Sequence, residues 1–213
     1  MKHESIADKV FMQLESDILS GKYTVGEVLT ETKLSEDFDV SRTPIREAIR
    51  RLQQENLVEE SGKGIVILGV SKQDLSDIYE IRMRIEGLAS KWAAKNITDE
   101  QLEELTNVVD LQEFYTMKEK SNEIKNTDTS FHDIIYKCSD SDTLNVILCM
   151  LHKKIQSFRK RSIENKDRAK MAVKEHRMIL EALKKHDGDE AERLTIEHIK
   201  NAKENLLNIF DEK

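Results

Sequence analysis

With 213 residues, one Pro, seven Gly and 35% charged side chains, the chain reads as a mostly helical protein with little loop. A formal charge of -7 excludes indiscriminate nucleic-acid binding, so any DNA contact has to come from a local basic patch. Two distant cysteines, no apolar run longer than Val146 to Leu151, and charges at Glu4, Asp8 and Lys9 exclude a disulfide framework, a bilayer span and a signal peptide, which implies a cytoplasmic protein.

Ile6, Val10, Phe11, Leu14 and Ile18 recur at helical spacing over 5–20, and Gly21 suits the position just past a helix end. A short polar link through Gly26 leads to Leu29, and a second short helix follows with Leu34 and Phe38 facing inward. The stretch 40–57 forms a third. Its buried stripe is Ile45, Ala48, Ile49 and Leu52, while Arg42, Arg46 and Arg50 step by four along another face. Pro44 belongs in the first turn, where its missing N–H has no helical partner, and Ser41 just ahead can cap the free amides. A helix start that gathers cations, a hydroxyl and the positive end of the dipole suits a phosphate backbone and base edges. A solvated basic face would look the same in isolation. Leu57 to Glu60 and Ile65 to Leu68 flank Ser61-Gly62-Lys63-Gly64 as a β-hairpin. Three helices and a two-stranded hairpin make residues 1–70 a winged helix-turn-helix domain, its third helix set for the major groove.

The segments Gly21-Lys22-Tyr23-Thr24-Val25-Gly26-Glu27-Val28-Leu29, Leu34-Ser35-Glu36-Asp37-Phe38, Ser41-Arg42-Thr43-Pro44-Ile45-Arg46-Glu47-Ala48 and Gly62-Lys63-Gly64 resemble the GntR family of bacterial transcription regulators over residues 5–68. The resemblance implies that Arg42 and Arg46 read bases or adjacent phosphates of a double-stranded DNA operator. It also implies that Ser41 and Thr43 hold phosphates and that Lys63 and Gly64 at the wing tip enter the minor groove. Val25 stands where the family usually has Pro, and Thr32 where some relatives carry a DNA-contacting Arg, so the operator sequence is not implied.

Residues 71–213 carry no further strand signal. About six amphipathic helices, near 74–95, 99–119, 122–138, 142–163, 166–187 and 189–210, have to pack as an all-α antiparallel bundle to bury their stripes. Ile78, Ile81, Ile85, Leu88 and Trp92 form the stripe of the first, and Thr98 with Gln101 forms a capping box for the second. Asp187-Gly188-Asp189 separates the last two helices, with Gly188 ending one and Asp189 capping the next. Asp128 and His132 lie one turn apart on one face, while His176 and His198 fall on inward stripes. Gly188 comes twelve residues after His176 and ten before His198, so a hairpin folded there brings both to nearly one height. Three imidazoles and a carboxylate then converge in a set suited to a divalent metal, Zn first and Ni or Mn as alternatives. His3, His152 and His186 lack such partners and read as surface or core residues.

Asp128-x-x-Phe131-His132, Glu175-His176 and His198 are also similar to the FCD ligand-binding domain of the FadR branch of the GntR family, over 72–210. The resemblance implies that Asp128, His132, His176 and His198 hold a divalent ion at the floor of a cavity for a small carboxylate. Arg82 lies on a buried stripe where a bare cation is costly; it either pairs with Glu86 one turn on or holds the effector's carboxylate. The reading that follows is a homodimeric transcription repressor whose operator affinity is set by a small carboxylate metabolite at the metal. A regulator for which the metal itself is the signal is the alternative. A metal-dependent hydrolase is the reading from another class, but no general base stands beside the ligands and no enzyme is expected.

Overall fold

The computed structural model describes residues 5–211, apart from the side chains of 157, 160, 161 and 209–211. His3 lies outside the described residues. Two compact units follow one another in the chain, Met1–Ser71 and Lys72–Lys213.

The first unit starts with α1 (Ile6–Leu19), whose N-terminus is closed by a reciprocal Ser5–Asp8 capping box and whose end runs into Gly21 at φ 79°. Next come β1 (Val28–Leu29), α2 (Glu31–Phe38) capped by Thr30, and α3 (Arg42–Gln54). Asp39, in the left-handed region at φ 51°, makes the tight turn between the two helices. Ile45, Ala48, Ile49 and Leu52 are buried on α3, as their spacing requires. Ser41 occupies the N-cap position of α3 but makes no side-chain cap bond, contrary to expectation. Its exposed hydroxyl and the first amides of the helix face solvent together.

The wing has three strands rather than two. β2 (Val58–Ser61) and β3 (Gly64–Ile67) form the expected hairpin around Gly62-Lys63, and β1 adds to the other edge of β3 through Val28↔Val66 and Leu29↔Ile65. Two residues are too short to show alternation, so β1 exists through pairing rather than pattern. Gly64 sits at this junction at φ 133°, and a Cβ there would come 2.5 Å from the Leu29 carbonyl oxygen.

The second unit contains α4 (Lys72–Asn96), α5 (Asp99–Met117), α6 (Ser121–Cys138), α7 (Asp142–Lys154), α8 (Gln156–Glu164), α9 (Lys166–Lys184) and α10 (Gly188–Asp211). The single helix expected over 142–163 is broken at Ile155, which has φ -105° and ψ 10° and is fully buried. No Pro or Gly marks the break. Its origin is tertiary, since it turns Arg159 and Ser162 of α8 into the interior. The Thr98–Gln101 capping box forms. At the α9–α10 turn the left-handed residue is His186 (φ 52°), and Asp187 rather than Asp189 caps α10, accepting from the Glu190 amide at 3.0 Å. Gly188 serves a different need: a Cβ would lie 3.0 Å from the Lys91 carbonyl oxygen of α4.

The inward face of α4 is also rotated from the expected stripe. Leu75, Ile78, Tyr79, Arg82, Glu86 and Ala89 are buried, whereas Ile81 (48% exposed) and Trp92 (37%) are not. The close approach of α10 explains the choice, because Gly87 leaves space for Ile196, and a Cβ would come 2.8 Å from its Cγ1.

Gly64→Ala should destabilise the N-terminal unit by about 1–3 kcal/mol, since both the backbone angle and the Leu29 carbonyl oppose a Cβ. Urea unfolding followed by circular dichroism reads this as a lower midpoint.

Candidate functional site

In the first unit, Ser41, Arg42, Thr43 and Arg46 are all exposed at the N-terminal end of α3. Two of them are already held by α2. Arg46 Nε donates to both carboxylate oxygens of Glu31 at 2.9 Å, and Arg42 Nη2 donates to Thr32 Oγ1 at 3.1 Å. Lys63 is exposed on the wing turn, while Gly64 beside it is half-buried against β1.

In the second unit, α6 supplies Asp128 and His132, α9 supplies His176 and α10 supplies His198. All four are buried. The nitrogens of the three histidines that could hold an ion lie within 4.8 Å of one another. His176 Nε2 is 3.3 Å from His198 Nε2 and 3.8 Å from Asp128 Oδ1. Phe131 stacks on the His176 ring at 3.9 Å between centroids and fixes its plane.

Each ring has an acceptor behind it. His176 Nδ1 lies 2.7 Å from Gln112 Oε1 on α5, His198 Nδ1 lies 2.7 Å from Glu175 Oε2, and His132 Nδ1 lies more loosely at 3.3 Å from Glu86 Oε2. A carboxylate or amide oxygen only accepts, so Nδ1 of His176 and of His198 carries a proton, while Glu86 Oε2 takes no hydrogen bond from His132. Nε2 of His176 and Nε2 of His198 face each other at 3.3 Å with a carboxylate nearby, an arrangement that either a shared proton or a divalent ion satisfies. Three imidazoles, one carboxylate and second partners that fix the tautomer are the donor set a divalent ion uses, and these residues fit one.

The Arg82 guanidinium pairs with Glu86 in a fully buried salt bridge and lies over the Tyr79 ring at 4.7 Å. Its Nη1 nevertheless has no partner. His152, read as a plain surface or core residue, is in fact buried at the centre of the network. Its Nε2 is 2.8 Å from both Arg82 Nη2 and Tyr136 Oη, and its Nδ1 is 2.8 Å from Arg159 Nη1. His152 follows Leu144 by eight and Leu148 by four, so the spacing rule that selected His176 would have selected it as well. Glu86, His132 and His152 also converge, but the Arg82 cation already occupies that side. His186 is exposed, with Nδ1 2.7 Å from the Ala94 carbonyl oxygen. Arg159 pairs with Asp128, and Arg168 with Glu175 at 2.8 Å. A cavity of about 30 Å³, lined in part by Arg82, Arg159, Arg168, Asp128, His132 and His198, adjoins the histidines. That is room for one water.

Charges inside this bundle follow their neighbours. Burial raises the pKa of Asp128, but Arg159 and then the three histidines outweigh it and hold the carboxyl well below its ordinary range. Burial acts likewise on Glu86, and Arg82 brings it down to about 2. For His132, burial lowers the pKa to about 4 against the pull of Glu86, and His176 is pushed down by burial and by His198. Burial thus disfavours the charged form of His132 and His176 beside ionised carboxylates, which is the direction metal ligation requires.

The profile of the bacterial regulatory proteins of the gntR family matches residues 6–67, and that of the FCD domain matches residues 77–201. The HTH-type transcriptional regulator YdhC of Bacillus subtilis is 29% identical over 208 residues, spanning 95% of this chain and 91% of that protein. The gluconate operon transcriptional repressor of Bacillus licheniformis is 25% identical, spanning 89% of this chain and 80% of that protein. Among solved structures, E. coli McbR/YncC has a TM-score of 0.77 at 23% identity, over 97% of this chain and 99% of that one, and shares the fold.

In metal-free protein, stability should be constant above pH 6.5 and fall as pH drops from there towards 4. His132 binds its proton near 6.5 when unfolded but only near 4 when folded, a difference on the order of 3 kcal/mol. Asp128 and Glu86, depressed in the fold, extend the loss below pH 4.5. Thermal melts of chelator-treated protein from pH 7.5 to 4 measure it.

Proposed function

The chain belongs to the GntR family of bacterial regulatory proteins and carries an FCD domain, and on that footing we propose a homodimeric repressor whose operator affinity is set by a small carboxylate bound at a divalent metal, zinc first. That it is a DNA-binding transcription regulator rather than an enzyme follows from the family and from its relatives. One observation supports the metal most strongly: ligand nitrogens of three buried imidazoles, His132, His176 and His198, lie within 4.8 Å of one another, with Gln112 and Glu175 behind Nδ1 of two of them. Asp128, His132, His176 and His198 would hold the ion, which offers a carboxylate oxygen a Lewis-acidic partner. Arg82 is assigned to the same carboxylate, since the residue lines the cavity and its Nη1 has no hydrogen-bond partner. The relative that represses a gluconate operon makes a sugar acid the class to try first.

On the DNA side, Arg42 and Arg46 would read base edges or adjacent phosphates once Thr32 and Glu31 yield them. The uncapped start of α3, with Ser41 and Thr43, would hold a phosphate, and Lys63 on the wing, with Gly64 beside it, would enter the minor groove. For the dimer, α4 and α7 pack through Ile85, Leu88, Leu144 and Leu148 and leave Ile81, Trp92, Val146, Ile147 and Met150 exposed. A second copy is the occupant we assign to that apolar face. The small size of the cavity favours a second reading as well, in which a bare ion with one water is the whole signal.

On DNA selected by the protein from a random pool, Arg46→Ala should cost about 1–3 kcal/mol of binding with the helical spectrum unchanged. Undiminished affinity would remove Arg46 from the interface. Zinc with D-gluconate should change operator affinity about fivefold or more, and His176→Ala should abolish the change. A full response to zinc alone decides for the metal as signal, and affinity indifferent to zinc, acid and chelator overturns both readings. Trp92→Glu combined with Val146→Glu should sediment as a monomer where the parent sediments as a dimer; an unchanged dimer places the interface elsewhere.

A further inference from the structure

One ligand of the set already has a cation. The Asp128 carboxylate pairs through Oδ2 with Nη2 of Arg159 on α8, and its Oδ1 faces His176 Nε2 at 3.8 Å. A divalent ion at Oδ1 and the guanidinium at Oδ2 have to share one buried negative charge, so binding of the ion weakens the arginine's hold.

The other end of Arg159 is poorly matched. Its Nη1 approaches His152 Nδ1, and Arg82 Nη2 approaches His152 Nε2, each at 2.8 Å. Guanidinium nitrogens only donate, whereas a neutral imidazole accepts at one nitrogen and donates at the other. Burial, and then the two arginines, hold His152 neutral. One of the two guanidiniums therefore meets an N–H where it needs a lone pair, and both contacts cannot be good at once. Withdrawing Arg159 removes that conflict and leaves His152 to Arg82.

The position of Arg159 in the chain suits such a withdrawal. It belongs to α8, a nine-residue helix set apart from α7 by the break at Ile155. Ile163 of the same helix lines the histidine cavity and also a second cavity of about 100 Å³ bordered by Thr116 and Lys166. α8 is thus a thin wall, fastened from inside by the Asp128 pair.

We propose, resting on the metal reading above, that Arg159 is an internal counter-ion that metal binding displaces: the ion takes Asp128, the guanidinium is released, and α8 loses its inner fastening. The site then reports its own occupancy through the mobility of one short helix, and the wall that closes the cavity opens only after the metal is in place.

Zinc affinity, measured by competition with a chromophoric chelator, and hydrogen exchange of the amides of residues 156–164 test this together. Arg159→Gln leaves Asp128 without a counter-ion in the metal-free protein, so zinc should bind about tenfold more tightly or better. Zinc should speed exchange in α8 of the parent protein and leave that of Arg159→Gln nearly unchanged. Equal or weaker zinc binding by Arg159→Gln, while His176→Ala still weakens it relative to the parent, overturns the latch and leaves the metal site standing. Equal affinity of parent and His176→Ala overturns the metal reading and the latch with it. If Arg159→Gln does not fold, Arg159→Lys, which keeps the charge and loses the fork, should show a smaller tightening. Unchanged zinc affinity in that variant, with zinc-insensitive α8 exchange in the parent, overturns the latch.

Discussion

A neutral imidazole carries one proton, and in a dry interior that proton needs an acceptor. For His176 and His198 the acceptors are Gln112 on α5 and Glu175 on α9. The orientation of two of the three rings therefore depends on oxygens of residues that contribute no imidazole, one of them from α5, a helix that brings no histidine to the meeting point. The bundle is organised around this requirement. Gln112 is as buried as any apolar core residue, and Phe131 stacks on His176 where an aliphatic side chain would fill the space equally well.

Burying this much charge is expensive, and the local solution is strict pairing. Arg82 with Glu86, Arg159 with Asp128 and Arg168 with Glu175 place each guanidinium against a carboxylate. Such pairs contribute little net stability compared with an apolar core of equal volume, and their retention is better explained by a site that exchanges partners. α4 anchors the arrangement because it presents Arg82 and Glu86 inward while Gly87 and Gly188 let α10 and the α9–α10 turn approach closely. A close α4–α10 contact on one side and a short α8, set apart by the break at Ile155, on the other enclose the site.

Much of this was legible in the sequence where local chemistry decides. The α3 stripe, the Thr98 box and the wing turn are short-range patterns, and the spacing around Gly188 placed His176 and His198 near one another before any coordinates. What escaped was set by tertiary contacts. The rotation of α4 away from its Ile81–Trp92 stripe comes from the approach of α10. The break at Ile155 carries no breaker residue, and the second strand partner of β3 is two residues long. Arg159 was out of reach for the same reason, since an arginine on a helix assumed continuous through 163 gives no sign that it turns inward. His152 is different: Leu144 and Leu148, eight and four residues before it, place it on an inward stripe from spacing alone.

The bifurcated hold of Glu31 on Arg46 has a consequence for how a regulator finds its site. A carboxylate fixed at the edge of the reading face repels phosphate along any stretch of duplex, while on a matching sequence it can be displaced or accept from a cytosine amino group. The penalty therefore falls more heavily on the wrong DNA than on the right DNA. A genome presents an enormous excess of wrong DNA, so weakening non-specific binding frees more protein for the operator than an equal gain in operator affinity confined to an already saturated site. An acidic residue beside the recognition helix shortens the time a protein spends parked elsewhere.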